Sequence, residues 1–256
     1  MSDPTTVTIL GCGTSRGVPA LPEDWGLCDP KEPYNRRMRA SILIQKGDTS
    51  IVIDTTPDFH QQALTAGLQH LTAVLLTHDH ADHTHGLDDV RGYAYAKKST
   101  IPVYMNDVTK DIITDRFSYA FEGKGGYPAI CESRGITCNK QFKIKDITIL
   151  AFEQIHGRIK SLGFRIGDFA YSTDLNALPE SSFEALEGVK TWVVDALRPD
   201  PHPTHSHLSQ TLEWIDRVGP EQAFLTHMTG DMDYQSLMKT LPKGIFPAFD
   251  GLKITI

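Results

Sequence analysis

Three histidines and two aspartates stand within six consecutive positions, from His78 to His83, directly after an apolar run at 73–77. Histidine and aspartate are mostly exposed or paired in folded proteins, so this density after a buried strand indicates metal chelation. Alternate side chains of an extended segment point the same way, which places His78 and His80 on one ion. A turn into a helix would direct Asp82 and His83 toward a second ion. The competing interpretation is a polar strand-to-helix loop with scattered histidines, but the length and context of the string favour the metal site.

Two ions need more ligands than one string supplies, and three later strands end on a suitable side chain. His156 follows the run 149–155, Asp174 follows 169–173, and His227 follows 223–226. A lone histidine at a strand end is more often a structural residue than a ligand. The three residues together with the string predict loops that converge on one shared metal centre.

Short β-rich runs recur along the chain and alternate with helical candidates in its last third. The predicted strands are 7–10, 41–45, 51–54, 73–77, 102–105, 147–150, 163–166, 169–172, 192–196, 223–226 and 253–256. The predicted helices are 57–66, 107–119, 181–186, 208–218 and 234–241.

This order most simply buries two mixed sheets face to face with helices outside, an α/β fold of the αββα sandwich type. Neither a repeat nor a linker-like stretch is present, so we expect a single domain over 1–256. The least regular segment is 94–140, which contains the glycine-rich stretch 123–126. We interpret it as a mobile lid or substrate-recognition loop.

Composition narrows the class of protein. Of the 256 residues 40% are hydrophobic and 22% charged, and the net charge of −7 argues against a protein that coats nucleic acid. No apolar run approaches membrane-spanning length and no secretory signal pattern opens the chain, so we expect a cytoplasmic protein that does not bind membranes. The four cysteines lack metal-type spacing and are predicted to be reduced thiols: Cys12, Cys28, Cys131 and Cys138.

The order of the histidines and aspartates resembles the metallo-β-lactamase superfamily over nearly the whole chain. Three further segments resemble its phosphodiesterase branch: 10–19 (LGCGTSRGVP), 35–41 (NRRMRAS) and 202–209 (HPTHSHLS). Within that branch the layout is most similar to PhnP-like cyclic phosphodiesterases, with ribonuclease Z more distant. The resemblance departs at 25–30 (WGLCDP), where one cysteine stands in place of the cysteine cluster that holds an additional zinc in PhnP. We therefore expect no such zinc site here.

The resemblance implies a centre of two divalent metal ions. The seven implied ligands are His78, His80 and His156 for one ion, Asp82, His83 and His227 for the other, and Asp174 as the bridge. Five imidazoles favour zinc, although manganese or iron would suit the same donors. With two divalent ions and one shared hydroxide the net charge is about +1, which attracts a singly charged phosphodiester. Asp54 is implied to orient a ligand, and the alternative is a strand-end acid that caps the following helix.

The branch also implies residues beyond the metal ligands. His205 corresponds to its extra histidine and would assist the leaving oxygen or bind a phosphate oxygen, with His207 as the rival assignment. Arg37 and Arg39 are candidates for binding substrate, and a solvated turn with ion pairs is the alternative.

The leading hypothesis is a dinuclear metallohydrolase that cleaves a small phosphodiester, cyclic or nucleotide-like, by attack of a metal-bridging hydroxide. Its catalytic residues would be His205, Asp82 and Asp174. The alternatives are a ribonuclease Z-like RNA phosphodiesterase, a carbon-ester hydrolase such as a lactonase or thioesterase, and a catalytically silent nucleotide-binding protein. The expected partner is a small phosphodiester or nucleotide. Stable nucleic-acid binding is not expected, and a homodimer is compatible with the resemblance.

Overall fold

The computed structural model describes residues 4–256, whose strands form two seven-stranded sheets. The strands of the first sheet are β1 (Thr6–Gly11), β2 (Ser41–Lys46), β3 (Thr49–Ile53), β4 (Ala73–Leu75), β5 (Ile101–Met105), β6 (Cys131–Gly135) and β14 (Lys253–Thr255). Their order across the sheet is β14-β1-β2-β3-β4-β5-β6. Pairing is antiparallel from β14 to β3 and parallel from β3 to β6, so the sheet is mixed.

The second sheet is also mixed. Its strands are β7 (Gln141–Ile144), β8 (Ile147–His156), β9 (Ile159–Ile166), β10 (Phe169–Ser172), β11 (Thr191–Asp195), β12 (Gln222–Thr226) and β13 (Ile245–Pro247). Their order is β13-β12-β11-β10-β9-β8-β7, with parallel pairing from β10 to β13 and antiparallel pairing from β7 to β10.

Helices surround the two sheets. They are α1 (Phe59–Ala66), α2 (Ala81–Thr84), α3 (Arg91–Lys97), α4 (Asp107–Arg116), α5 (Ser118–Glu122), α6 (Glu180–Leu186), α7 (Leu208–Val218) and α8 (Tyr234–Thr240), with short 3-10 helices at Pro33–Asn35 and Leu87–Val90. None of the helices within residues 4–256 is long and apolar enough to cross a membrane. The two mixed sheets with helices outside confirm the predicted αββα sandwich.

Successive residues of the first sheet alternate between two apolar cores. In β2, Ile42 and Ile44 point toward the second sheet and pack in one cluster with Phe152 and Trp192. Leu43 between them lies in a different cluster, which the helices on the outer face cover. This alternation is the period of two of a β-strand, and it explains why the middle of β2 is apolar on both faces.

Two glycines of the 10–19 segment allow close packing against the 35–41 segment. A Cβ atom on Gly11 would lie 2.1 Å from the carbonyl oxygen of Arg39, and one on Gly13 would lie 2.9 Å from that of Arg37. Both positions therefore exclude a side chain, because the neighbouring atoms belong to the backbone. Two of the three segments that carry the phosphodiesterase-branch resemblance are thus one packed unit.

The segment 94–140 is more regular than its sequence indicates. It contains β5, α4, α5 and β6, and the predicted helix 107–119 is two helices interrupted at Phe117. Strand β6 was not predicted, because only Cys131 of its five residues is buried and no apolar run marks it. Helix 208–218 was predicted correctly.

Candidate metal centre

The histidine string begins just after β4 and ends in the short helix α2. His78 is completely buried, whereas His80 is exposed and is the last extended residue before the helix, with φ −62° and ψ 151°. Asp82 and His83 lie in the first turn of α2. The predicted change from extended backbone to helix is therefore present, and it separates His78 and His80 from Asp82 and His83.

Asp174 lies between two sets of histidines, because its two carboxylate oxygens face in different directions. Oδ1 is 3.7 Å from Nε2 of His156 and 4.0 Å from Nε2 of His78. Oδ2 is 2.9 Å from Nε2 of His83 and 3.4 Å from Nε2 of His227. This is the arrangement that a carboxylate bridging two cations requires.

The remaining two predicted ligands complete the two sets. His80 Nδ1 lies 3.3 Å from Nε2 of His156, and Asp82 Oδ2 lies 3.3 Å from Nε2 of His83. The candidate ligand atoms of His78, His80 and His156 lie within 4.8 Å of one another, as do those of Asp82, His83, Asp174 and His227. The fold thus brings all seven predicted ligands together in the predicted groups of three and three around Asp174.

Hydrogen bonds fix which nitrogen of two rings carries the proton. A carbonyl oxygen can only accept, so His156 Nδ1 donates to the Thr204 carbonyl at 2.7 Å and its Nε2 presents a lone pair. His83 Nδ1 donates to the Asp54 carboxylate at 2.7 Å, which directs its Nε2 toward Asp174 in the same way. Both rings are therefore held in the orientation and tautomer of a metal ligand.

The buried nitrogen atoms of the site supply the test of whether metal ions fit. Nε2 of His78, of His83 and of His227 have no hydrogen-bond partner within residues 4–256, although carboxylate oxygens of Asp174 lie 2.9–4.0 Å away. Buried polar atoms without a partner are costly, and lone pairs of nitrogen and oxygen repel at these distances. A cation between them removes both penalties. The donor set of five imidazoles and two carboxylates fits two divalent ions.

The carboxylates and imidazoles shift one another's protonation. Burial by itself would lower the pKa of His83, but the carboxylates of Asp174, Asp82 and Asp54 outweigh it and raise the pKa well above its ordinary value. At His227, burial lowers the pKa and the neighbouring carboxylate of Asp174 raises it. The net effect raises the pKa of His227 to about 9. Protons therefore compete with cations here, so metal binding should release protons and weaken at low pH.

Asp54 contacts the ring nitrogen of His83 that does not face Asp174. Its carboxylate accepts from the backbone N–H of Thr77 at 2.8 Å, from the Thr77 hydroxyl at 2.9 Å and from His83 Nδ1. The side chain is completely buried, and no helix-capping bond from it is formed; the first turn of α1 is preceded instead by Asp58. These contacts support the predicted orienting role of Asp54 rather than the capping alternative.

Backbone strain is concentrated at the site. Six residues other than glycine have positive φ within residues 4–256, and three of them are Asp54 (φ 67°), Asp174 (φ 57°) and His227 (φ 58°). The left-handed region is unfavourable for side chains other than glycine, and such residues persist where the surroundings hold them. The strain follows the residues whose side chains the site needs, which favours a functional reason for it.

His205 stands beside the metal ligands and is held by a residue that sequence reasoning missed. Its Nδ1 lies 3.0 Å from Asp195 Oδ2, and its Nε2 lies 3.8 Å from Asp174 Oδ1. The same Asp195 oxygen accepts from the backbone N–H of Asp174 at 2.9 Å. His207 precedes α7 and belongs to none of the clusters of ligand atoms within residues 4–256, so the geometry favours His205 over His207. The sequence could have indicated Asp195, because this residue ends the apolar run of β11 in the same way as Asp54 follows the apolar run of β3.

The structure corrects one of the two predicted arginines. Arg37 is 2% exposed, and its guanidinium donates to the carbonyl oxygens of Thr229 at 3.1 Å and of Met232 at 2.6 Å. A side chain so enclosed ties the 35–41 segment to the loop after β12 and does not reach substrate. Arg39 pairs with Asp58 at 2.8 Å and keeps 27% of its side chain exposed, so it stays a prediction as a substrate contact.

Four of the seven candidate ligands, His80, Asp82, His156 and Asp174, line an open cavity of about 640 Å³. His80, Asp82, Asp174 and His205 form one part of its wall, and Arg158 lies at the rim. Arg158 is exposed and comes two residues after His156, in the turn between β8 and β9. Sequence reasoning did not single it out, because a lone arginine in a β-turn carries no signal of its own.

Comparisons with known proteins bear on this arrangement. A family model described as a β-lactamase superfamily domain matches residues 49–228, more than half of the chain. The chain belongs to the β-lactamase superfamily. It is also similar to a crystal structure of a diphosphatase from the PhnP family, with 34% identity, a TM-score of 0.92 and coverage of 100% of this chain and 98% of that chain. The predicted resemblance to PhnP-like members of this superfamily is confirmed.

Other similar proteins differ in name and length. An octanoyltransferase of Porphyromonas gingivalis is 34% identical over 97% of this chain, and a ribonuclease Z of a Bradyrhizobium species is 27% identical over 58% of it. The chain spans about half the length of these curated relatives, 51% and 49%. The short form of human tRNase Z has 17% identity, a TM-score of 0.69 and coverage of 98% and 99%, which shows a shared fold.

Proposed function

We propose that this protein is a dinuclear metal-dependent hydrolase of small phosphodiesters. The observation that carries the proposal is the position of Asp174, whose two oxygens face two separate sets of histidines at 2.9–4.0 Å. A single structural ion would not require a carboxylate that serves both sides. Catalytic zinc sites also keep an open coordination position, and the cavity of about 640 Å³ in front of the ligands provides that access.

Charge favours a singly negative substrate. The seven ligands carry two carboxylates and five imidazoles, so two divalent ions would leave a positive centre. Such ions would supply an activated water near neutral pH and would stabilise the charge that builds on phosphorus. A phosphodiester carries one negative charge and therefore matches the site better than a neutral carbon ester does.

His205 is placed to manage the proton of the reaction. In hydrolysis the oxygen of water forms a bond to phosphorus, the bond from phosphorus to the leaving oxygen breaks, and that oxygen gains a proton. His205 lines the cavity, its Nε2 lies 3.8 Å from Asp174 Oδ1, and its Nδ1 lies 3.0 Å from Asp195 Oδ2. This pairing orients the ring, as a general acid requires.

Similarity to a diphosphatase of the PhnP family and to a ribonuclease Z supports a substrate that contains phosphorus. An RNA phosphodiesterase is the second candidate, favoured by the 27% identity to the Bradyrhizobium ribonuclease Z. The net charge of −7 counts against it, because a protein that grips RNA usually presents a basic surface. The transferase activity of the P. gingivalis protein is not carried over, because the match spans only half of that protein.

The test combines metal content with turnover. Protein reconstituted with zinc or manganese should bind about two ions per chain and should hydrolyse an aryl phosphodiester faster than the matching monoester, a lactone or a thioester. Asp174→Ala and His80→Ala should lose metal and activity together. His60→Ala is the matched control, since His60 is also exposed but lies in α1 outside the ligand clusters. Specific trimming of a precursor transfer RNA, with no turnover of small diesters, would replace the proposal by the RNA phosphodiesterase.

A further inference from the structure

A second groove adjoins the metal cavity and shares a wall with it. This groove, of about 490 Å³, lies between α4 and the β8–β9 hairpin. Arg158 and Ile159 line both the metal cavity and the groove. Asp79, which separates the ligands His78 and His80, also lines the groove. The metal cavity and the groove therefore meet at Arg158 and Ile159, where a molecule bound at the metal centre could extend toward the groove.

The groove presents unusually exposed apolar side chains. Val108 is 71% exposed and Ile112 is 37% exposed, and they are four residues apart, on the same face of α4. Across from them the groove is lined by Ile159 and by the buried Leu162. Large apolar side chains that are exposed next to a polar site commonly mark a ligand-binding surface.

The charged groups at the groove are mostly neutralised. Lys160 pairs with Glu153 at 2.7 Å, and Arg116 pairs with Asp79 at 3.5 Å. Arg158 forms no ion pair within residues 4–256, so its guanidinium is free at the junction of the two cavities. Asp107 also lines the groove and forms no ion pair within residues 4–256, so its carboxylate would repel a second phosphate group here. The groove therefore fits an uncharged group, and the junction fits an anion.

We propose that this groove binds an uncharged aromatic substituent of the substrate, the ester arm that stays on phosphorus, while Arg158 contacts a non-bridging phosphate oxygen. The proposal rests on the proposed function and specifies its substrate class as aryl or nucleoside-like phosphodiesters. His205 serves the leaving oxygen from the β11–α7 loop, whereas the groove is built by α4 and the β8–β9 hairpin. The retained arm and the leaving group thus have separate places.

The test compares two diesters with the same leaving group. Phenyl p-nitrophenyl phosphate and methyl p-nitrophenyl phosphate both release p-nitrophenolate and differ only in the retained arm. We expect kcat/KM of the metal-loaded protein to be about tenfold higher for the phenyl ester, the range that apolar pockets give for small side groups. Val108→Ser and Ile112→Ser should bring the ratio of the two esters down by about threefold each. Arg158→Gln should slow both esters, with recovery in Arg158→Lys.

Leu64→Ser is the matched control, because Leu64 is 65% exposed on α1 and lines none of the described cavities. It should keep the ratio of the wild type. Calorimetry with phenylphosphonate and methylphosphonate gives a readout without turnover. Phenylphosphonate should bind more tightly than methylphosphonate, and Val108→Ser should reduce that difference. A ratio near one in the wild type, or one that Val108→Ser leaves unchanged, would overturn the groove proposal even if both esters are cleaved.

Failure of metal-loaded protein to cleave either ester would instead refute the proposed function, and the phosphonate comparison would still decide the groove. A change from oligomer to monomer in Val108→Ser without a change in the ratio would assign this face to a second copy of the chain and also overturn the proposal.

Discussion

Asp195→Asn is the substitution that most directly tests how the site orients His205, the proposed general acid. One carboxylate oxygen of Asp195 accepts from the backbone N–H of Asp174 at 2.9 Å and faces His205 Nδ1 at 3.0 Å. A further contact, to the backbone N–H of Leu175, is longer at 3.4 Å. Asparagine has the same shape and can keep its carbonyl oxygen at this position, so the change removes charge rather than contacts.

The size of the effect follows from these contacts. A hydrogen bond to a charged group contributes about 1.5–3 kcal/mol and a neutral one about 0.5–1.5 kcal/mol. Each of the two short bonds therefore weakens by about 1–1.5 kcal/mol. The weaker hydrogen bond to His205 destabilises the transition state, and a loss of about 1.4 kcal/mol corresponds to a tenfold fall in kcat/KM. The weaker hydrogen bond from the backbone N–H of Asp174 should weaken metal binding by a similar factor.

The assay is kcat/KM for an aryl phosphodiester at saturating metal, with metal content measured on the same samples. Asp195 acts through His205 in this scheme, so adding Asp195→Asn to His205→Ala should cost little further activity. Asp216→Asn, an exposed aspartate on α7, is the matched control and should behave as wild type. Full additivity of the two changes at saturating metal would refute the coupling. A loss of metal from His205→Ala would also refute it, since that outcome makes His205 a ligand, which its place in a cluster with Asp174 and His156 would permit.

Three further outcomes are expected. Asp54→Asn should lower metal affinity by about tenfold, because His83 then loses a charged partner at 2.7 Å; titration with a chromophoric chelator measures it, and unaltered affinity would contradict the orienting role. Arg116→Ala should lower metal affinity by about fivefold, because its guanidinium holds the Asp79 carbonyl at 2.6 Å, and Arg116→Lys should recover part of the loss. Burial raises the pKa of Asp250 to about 7, so the folded chain keeps a proton that the unfolded chain releases near its ordinary value of 3.8. The contribution of Asp250 to the free energy of unfolding should therefore fall as pH rises from about 4 to about 7; urea titrations across this range should show a steeper fall in the wild type than in Asp250→Asn.

The metal ligands were predictable because their signal is local. Ligand chemistry restricts the residue types to histidine and aspartate, and the β-strand period indicates where a buried run ends. His156, Asp174 and His227 each follow such a run within one or two residues. Strands β8, β10 and β12 run in the same direction, so their carboxyl ends lie at one edge of the second sheet. The resemblance of the whole chain to one superfamily supplied the grouping into two sets.

Other features depend on partners that are far away in the chain. Arg37 looked like a phosphate binder, but its guanidinium is bound by backbone carbonyls of Thr229 and Met232, 192 and 195 positions away. A backbone carbonyl has the same chemistry at every residue, so no feature of the sequence marks those acceptors. Strand β6 within 94–140 was missed for a related reason, because β6 is stabilised by pairing with β5 rather than by an apolar run of its own.

By itself, the sequence determined the sandwich fold, the seven candidate ligands and the chemistry that two cations would bring to them. Only the tertiary structure decided that Asp174 presents one oxygen to each histidine set, that Asp195 holds both Asp174 and His205, and that Arg158 is free at the junction of two cavities. The physical reason is that residue type and period fix which side chains can bind, whereas direction, distance and neutralisation by ion pairs are set by packing between segments remote in the chain.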